Sequence, residues 1–336
     1  MNTQKTIPQM VSTRIKKYGG KLLFQHKDGW SWKQITWLDF EKSIKDIASF
    51  LMSLGFAPGS TALVVSGNRM ESLYAEFAIY LLGGISIPIA ENESQDAIVR
   101  AARDSRSRFV FVGGRSTLNK LRNVKGEIPS LVKVVSFSDT NIREDEGVIP
   151  FNGLLKFGSI KRKGLEDELA KASRSVLPEA TVTIFYNFNS DKKIDRKEVT
   201  HRDLVEAICV ASERLSFING EDQAFSYLPS VDSFERFVNY LGIYMGIRIA
   251  VAKTREDFFE DILEVKPTVL FETKSGLENI YSRISLEKGS PNQKLRTALG
   301  GRIKYVLIDS MPRGEVKNLF SKSDISLIEI SEIASL

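Results

Sequence analysis

The sequence predicts an α/β fold in which two β-sheet lobes are each flanked by helices. Short apolar runs of strand length alternate with amphipathic segments of helix length, the order expected of βαβ units with a parallel sheet covered on both faces. The alternation occurs twice, on either side of a charged, weakly apolar stretch at residues 139–178. The chain has 336 residues with 42% hydrophobic content, enough for one large bilobal domain or two smaller ones. The expected division is a first lobe at 1–175 and a second at 176–336, with 139–178 as a mobile connector.

Residues 6–18 read as a helix. "KLLFQHKDGWSWKQITW" reads as a hairpin turning at Asp28-Gly29. Trp30, Trp32 and Trp37 are expected to pack around it against the first lobe. In the next segment Phe40, Ile44, Ile47, Phe50, Leu51 and Leu54 recur at helical spacing, and Gly55 is placed to stop the helix. "STALVVSG", a helix ending at Gly83-Gly84, "ISIPIA", the helix "SQDAIVRAARDSRS" and the strand "RFVFVGG" complete the first series. Gly113-Gly114 reads as a tight strand-to-helix turn.

The second series starts with "ATVTIFY" as a strand. Thr200 and Asp203 form a capping-box-like start for a helix reaching about Phe217. Strands follow at "QAFSYLP", "IRIAVAK", "PTVLFE", "IKYVLID" and "ISLIEI". Helices fall between them at "SFERFVNYLGIYMG", "EDFFEDILEVK" and "SGLENIYSRIS". Phe234, Phe237, Tyr240 and Tyr244 lie at helical spacing and read as core.

Composition removes several function classes. The 47 basic and 42 acidic residues are well mixed and leave a net charge of +5, so nothing demands nucleic acid. The one cysteine, Cys209, excludes an intrachain disulfide and is expected as a buried core thiol beside Leu204, Ile208 and Leu215. With two histidines, His26 and His201, and one cysteine, no metal site built on these ligands is expected. The N-terminal "MNTQKTIPQM" lacks a signal-peptide core. The longest apolar run, "FAIYLLGGISIPIA", is broken by glycines and proline, so a membrane span is not expected and a cytoplasmic location is.

Several segments together resemble a known family. "LLFQHKDGWSWKQITWLDFEKSIKDIASFLMSLGFAPGSTALVVSGN", "LLGGISIPI", "THRDL", "SYLPSVDSFER", "EDILEVKPTVLFE" and "LGGRIKYVLIDSMP" occur in the order and spacing of adenylate-forming enzymes, and among these of long-chain fatty acyl-CoA synthetases. The resemblance covers residues 6–330 and implies the layered αβαβα N-terminal domain, without the C-terminal lid domain. It also implies a chemistry: ATP and a carboxylic acid form an acyl-adenylate, from which coenzyme A displaces AMP. Mg²⁺ accompanies the nucleotide.

The family's phosphate loop reads Y-T-S-G-T-T-G-x-P-K-G. Counting back from Thr200-His201-Arg202-Asp203-Leu204 puts Tyr186 on its tyrosine and Asn189, Lys192 and Arg196 on its glycines. Loop glycines take positive φ and approach phosphate closely. A lysine or arginine there would be disfavoured by roughly 1–2 kcal/mol. Ser190 keeps a phosphate-gripping hydroxyl, while Asp191 and Asp195 add like charge. Losing about four hydrogen bonds to charged groups, at roughly 1.5–3 kcal/mol apiece, would remove most nucleotide affinity. Tyr186, Ser190, Lys192, Lys193 and Arg196 are therefore the candidate remnants of a nucleotide site.

Other family positions differ as well. Asp232 stands where a histidine borders the acyl site, beside Phe234 in "DSFER". Thr273-Lys274-Ser275 replaces V-P-R, and Asp309-Ser310-Met311-Pro312 replaces G-G-A-P. Scaffold positions persist in Pro88, Pro229, Pro267 and Gly300-Gly301. The leading expectation is a catalytically impaired acyl-CoA synthetase homologue, a pseudoenzyme-like protein with no catalytic residues. It would retain a fatty acyl ligand or a protein partner and require no cofactor. A homodimer is expected from the family. The alternative is an active or split ATP-dependent fatty acid–CoA ligase with a reworked phosphate loop, which would use ATP, Mg²⁺ and coenzyme A.

Overall fold

A computed structural model of the chain describes residues 4–122, 125–138, 147–188, 194–228, 231–252, 256–285 and 290–330. In chain order the elements begin α1 (Ile7–Tyr18), β1 (Leu22–Asp28), β2 (Ser31–Thr36), α2 (Trp37–Ser53), β3 (Thr61–Val65), α3 (Met70–Leu81) and β4 (Ile85–Ile89). Then follow α4 (Gln95–Asp104), β5 (Phe109–Val112), α5 (Arg115–Arg122), β6 (Lys133–Ser136), β7 (Val148–Pro150), α6 (Phe151–Arg162), α7 (Glu166–Ser175), β8 (Thr181–Phe188), β9 (Ile194–Thr200) and α8 (His201–Arg214). The remainder is β10 (Gln223–Ser226), α9 (Ser233–Met245), β11 (Arg248–Val251), α10 (Phe258–Val265), β12 (Val269–Glu272), α11 (Lys274–Ser285), α12 (Pro291–Ala298), β13 (Tyr305–Ile308), α13 (Gly314–Lys322) and β14 (Ser326–Glu329).

Two compact units result. One comprises Met1–Gly20 and Trp37–Glu206, the other Lys21–Thr36 and Ala207–Leu336. The first unit holds the sheet β7-β6-β5-β3-β4-β8-β9, in which only β8–β9 is antiparallel. The second holds β14-β13-β12-β10-β11-β1-β2, in which only β1–β2 is antiparallel. Strands such as β3 (TALVV) and β5 (FVFV) are buried along their whole length, as expected of parallel strands covered on both faces.

Local sequence accounts for most of these elements. Phe40, Ile44, Ile47, Phe50 and Leu51 bury one stripe of α2. Gly83 takes φ +68° after α3, a left-handed turn that lets the chain re-enter as β4. The capping box at α8 forms: the Thr200 hydroxyl oxygen accepts from the Asp203 N–H (3.1 Å), and Asp203 accepts from the Thr200 N–H (3.2 Å). Phe234, Phe237 and Tyr240 are core, while Tyr244 is half-buried.

Several elements differ from expectation. The hairpin β8–β9 belongs to the first unit's sheet, because β8 pairs in parallel with β4 at Ser86–Thr183. The hairpin β1–β2 belongs to the second unit, because β1 pairs with β11. Within the charged stretch, residues 139–146 lie outside the described residues. The rest holds strand β7 and two helices: α6 and α7 bury Phe151, Leu154 and Leu169 in the first unit. Gly158 brings α6 so close to α2 that a Cβ would lie 1.9 Å from the Asp46 carbonyl oxygen.

The tryptophans separate. Trp37 is buried and stacks on Tyr18 (5.4 Å between centroids) in the first unit. Trp32 donates to Glu264 (2.7 Å) in the second. Trp30, at a hairpin tip, is 98% exposed. Cys209 is half-buried, not core: the buried stripe of α8 includes Leu204, Ile208 and Ala211, and Cys209 lies about 100° round the helix from Ile208. Among the described residues no helix is long and apolar enough to cross a membrane, and no group of three or more His, Cys, Asp or Glu could hold a metal ion.

Candidate functional site

The candidate nucleotide positions fall on the β8–β9 hairpin. β9 consists of "IDRKEVT", and its charged residues Asp195, Arg196, Lys197 and Glu198 are all exposed. Such a composition suits an edge strand. In the ladder Tyr186 faces Arg196, Asn187 faces Asp195 and Phe188 faces Ile194. Ser190, Lys192 and Lys193 lie outside the described residues.

Tyr186 and Arg196 converge on Asp104, the last residue of α4. The Tyr186 hydroxyl donates to Asp104 Oδ2 (2.6 Å), and Arg196 Nη1 approaches the same oxygen at 3.3 Å. Arg196 Nη2 also lies 3.4 Å from Glu198. Burial, and the hydrogen bond and negative charge of Asp104, push the Tyr186 phenol above its usual range. Its ring stacks on Phe188 (6.2 Å), and both pack against the core around Leu63, Ile87 and Val110. Arg196 lies within β9 and is not among the residues of positive φ. Its guanidinium is paired with two carboxylates.

Asp232 and Phe234 are in the second unit. Asp232 is the N-cap of α9: its side chain accepts from the Phe234 N–H (2.8 Å). Phe234 is buried. The structure therefore brings Tyr186 and Arg196 together in the first unit, and Asp232 with Phe234 in the second.

At the ends of β12 and β13 the residues replacing family motifs bond to one another. Asp309 Oδ1 accepts from the backbone N–H groups of Lys274 and Ser310, each at 2.7 Å. Glu272 Oε1 accepts from the Thr273 N–H (2.8 Å), and Tyr227 donates to Glu272 Oε2. Glu235 is fully buried, accepts from Ser226 and from Asn239 Nδ2 (3.0 Å), and leaves Oε2 without a partner. Burial pushes its carboxyl up to about 8. Sequence reading did not single out Asp104 or Glu235. Asp104 gives no signal, being 82 positions from Tyr186. Glu235 could have been found as a charge inside the apolar stripe of α9.

The AMP-binding enzyme family matches residues 12–186, more than half of the chain. The chain belongs to the AMP-binding enzyme family. It is 22% identical over 253 residues to long-chain-fatty-acid–CoA ligase FadD15 of Mycobacterium bovis, covering 75% of this chain and 40% of that one. It is 23% identical over 319 residues to fatty acyl-CoA synthetase B of Dictyostelium discoideum, covering 90% of this chain and 46% of that one. The chain thus spans less than half the length of these two relatives.

Solved structures of the AMP-binding fold match nearly the whole chain. The anthranilate CoA ligase AuaEII, in complex with anthranoyl-AMP, gives a TM-score of 0.76 at 13% identity, covering 98% of this chain and 59% of that one. The N-terminal domain of FACL13 from Mycobacterium tuberculosis gives 0.73 at 13% identity, covering 97% and 75%. The two mixed sheets are those of the N-terminal domain of adenylate-forming enzymes. The AMP-binding match ends at Tyr186, which pairs with Arg196 in the β8–β9 ladder.

A cavity of about 440 Å³ lies in the first unit, floored by Ile7, Val11, Ile44, Phe77, Tyr80 and Leu169. Neither Tyr186 nor Arg196, the described candidate nucleotide residues, lines it. Next to Ile7, the buried His201 accepts the Ile7 N–H at Nδ1 (3.3 Å), and burial pushes its imidazole down to about 4. His201, part of the "THRDL" segment, is thus a neutral structural acceptor.

Proposed function

We propose that this AMP-binding family member is a catalytically impaired, pseudoenzyme-like acyl-CoA synthetase homologue that binds an apolar ligand or a protein partner without ATP chemistry. The observation that carries this reading is the closed triangle of Tyr186, Arg196 and Asp104 at the phosphate-loop position. A triphosphate needs unpaired donors and a loop free to fold round it. Here the phenol and the guanidinium already serve an internal carboxylate, and Asp195 adds a further negative charge. Asp309 replaces a family glycine, and its carboxylate is held by two backbone N–H groups.

Retention of a ligand with an apolar part is supported by the first unit's cavity, which has Ile7, Phe77 and Leu169 beside Lys16, Glu41 and Arg174 in its lining and a volume within the roughly 300–1,000 Å³ typical of small-molecule sites. The family and its long-chain fatty acid–CoA ligase relatives make a fatty acyl chain the class to try first.

A second reading, an active or split ligase with a reworked loop, is favoured by Arg196, whose side chain is 49% exposed and could exchange Asp104 for a phosphate. The two readings separate in a hydroxylamine-trapping assay with ATP, Mg²⁺ and a range of fatty acids. The impaired reading expects no ATP-dependent acyl-hydroxamate. Sustained product above the no-ATP control would overturn it in favour of the second.

A further inference from the structure

The outer face of α6 carries a combination of side chains that its packing does not use. Phe151, Leu154 and Gly158 turn inward, and Arg162 is ion-paired with Asp46 at 2.9 Å. At about 100° per residue, Lys163, Lys156, Ile160 and Phe157 follow one another across the opposite half of the helix. Phe157 is 52% and Ile160 61% exposed. Lys156, Lys161 and Lys163 are exposed, and among the described residues none of them is ion-paired. On α2, Glu41 pairs with Lys45 (2.6 Å), while Glu166, Asp167 and Glu168 of the turn that follows α6 are exposed acids.

We propose that this face of α6 docks on an anionic lipid surface, with Phe157 and Ile160 entering the headgroup–acyl boundary and Lys156, Lys161 and Lys163 meeting lipid phosphates and carboxylates. An apolar sector flanked by unpaired cations is the arrangement that binds in the plane of a membrane interface. Each lysine adds attraction to the negative surface potential, while the two apolar side chains insert by the hydrophobic effect. The inference rests on α6 alone and is independent of whether the chain turns over ATP.

The test is co-sedimentation of the full chain with vesicles of phosphatidylcholine alone and of phosphatidylcholine mixed with phosphatidylserine. Recovery is expected with the mixed vesicles, at least about tenfold tighter than with neutral ones, and weakening as salt rises. The variants Phe157→Ser/Ile160→Ser and Lys156→Glu/Lys161→Glu/Lys163→Glu should both lose it. They should keep the parent melting temperature, because the altered residues are exposed. Equal recovery with neutral and anionic vesicles, or none with either, overturns the proposal. So does anionic binding that both variants retain. An apolar variant that changes only the sedimentation of the vesicle-free protein would assign this face to a protein contact and likewise overturn it.

Discussion

Tyr186 and Arg196 face each other across the β8–β9 ladder and meet at one oxygen of Asp104. The geometry ties a half-buried phenol to an exposed ion pair. The phenol is the part that contributes to stability, since exposed pairs are worth little. Tyr186→Phe is expected to lower stability by about 0.5–1.5 kcal/mol, read from the midpoint of urea unfolding. Arg196→Ala should lower it less. The reverse order would contradict the hydrogen bond as drawn.

His201 makes stability depend on acid. Its imidazole is neutral in the folded chain down to about 4, against an unfolded value near 6.5. Between these values the unfolded chain binds more protons, so stability is fully present above 6.5 and is lost as pH falls toward 4. His201→Asn, which can still accept the Ile7 N–H, should flatten that part of the unfolding profile. An unchanged acid limb in the variant would remove His201 as its cause.

Glu235 acts in the opposite direction. Its folded value of about 8 lies above the usual carboxylate range near 4.5, so the folded chain holds the extra proton between them. Stability from this group is present below 4.5 and declines as pH rises toward 8. Glu235→Gln keeps an acceptor oxygen for Ser226 and Asn239 without the titration. The variant should match the parent in melting temperature at low pH and exceed it above pH 8. Equal melting temperatures across the range would show that Glu235 does not titrate as its burial requires.

Gly158 sets the approach of α6 to α2. A methyl group there would lie 1.9 Å from the Asp46 carbonyl oxygen, so the helices must part. Gly158→Ala is expected to destabilise by about 1–3 kcal/mol or more, although alanine is the better helix former. A neutral or stabilising result in thermal melts would show that the contact is looser.

Much of the fold was legible because apolar strands and helix stripes encode it locally. The stripe of α2, the α8 capping box and the buried strands around Val65 and Val110 follow from spacing alone. Which sheet each hairpin joins was not legible: nothing in "LLFQHKD" specifies pairing with Ile249–Val251 over two hundred residues later. β9 escaped notice because Asp195, Arg196, Lys197 and Glu198 give an exposed edge strand no apolar alternation. Helices α6 and α7 were hidden by their charge, their burial resting on Phe151, Leu154, Gly158 and Leu169. At the candidate site the sequence supplied Tyr186 and Arg196 through family resemblance. Asp104, on which both converge, is a long-range partner that only the folded chain identifies.

The proposed loss of triphosphate binding at the β8–β9 hairpin is tested most directly by calorimetric titration of Mg-ATP into the purified chain. The expected result is no saturable heat up to millimolar nucleotide. A saturable isotherm that Arg196→Ala abolishes would place a working phosphate site on this hairpin and contradict the impaired reading.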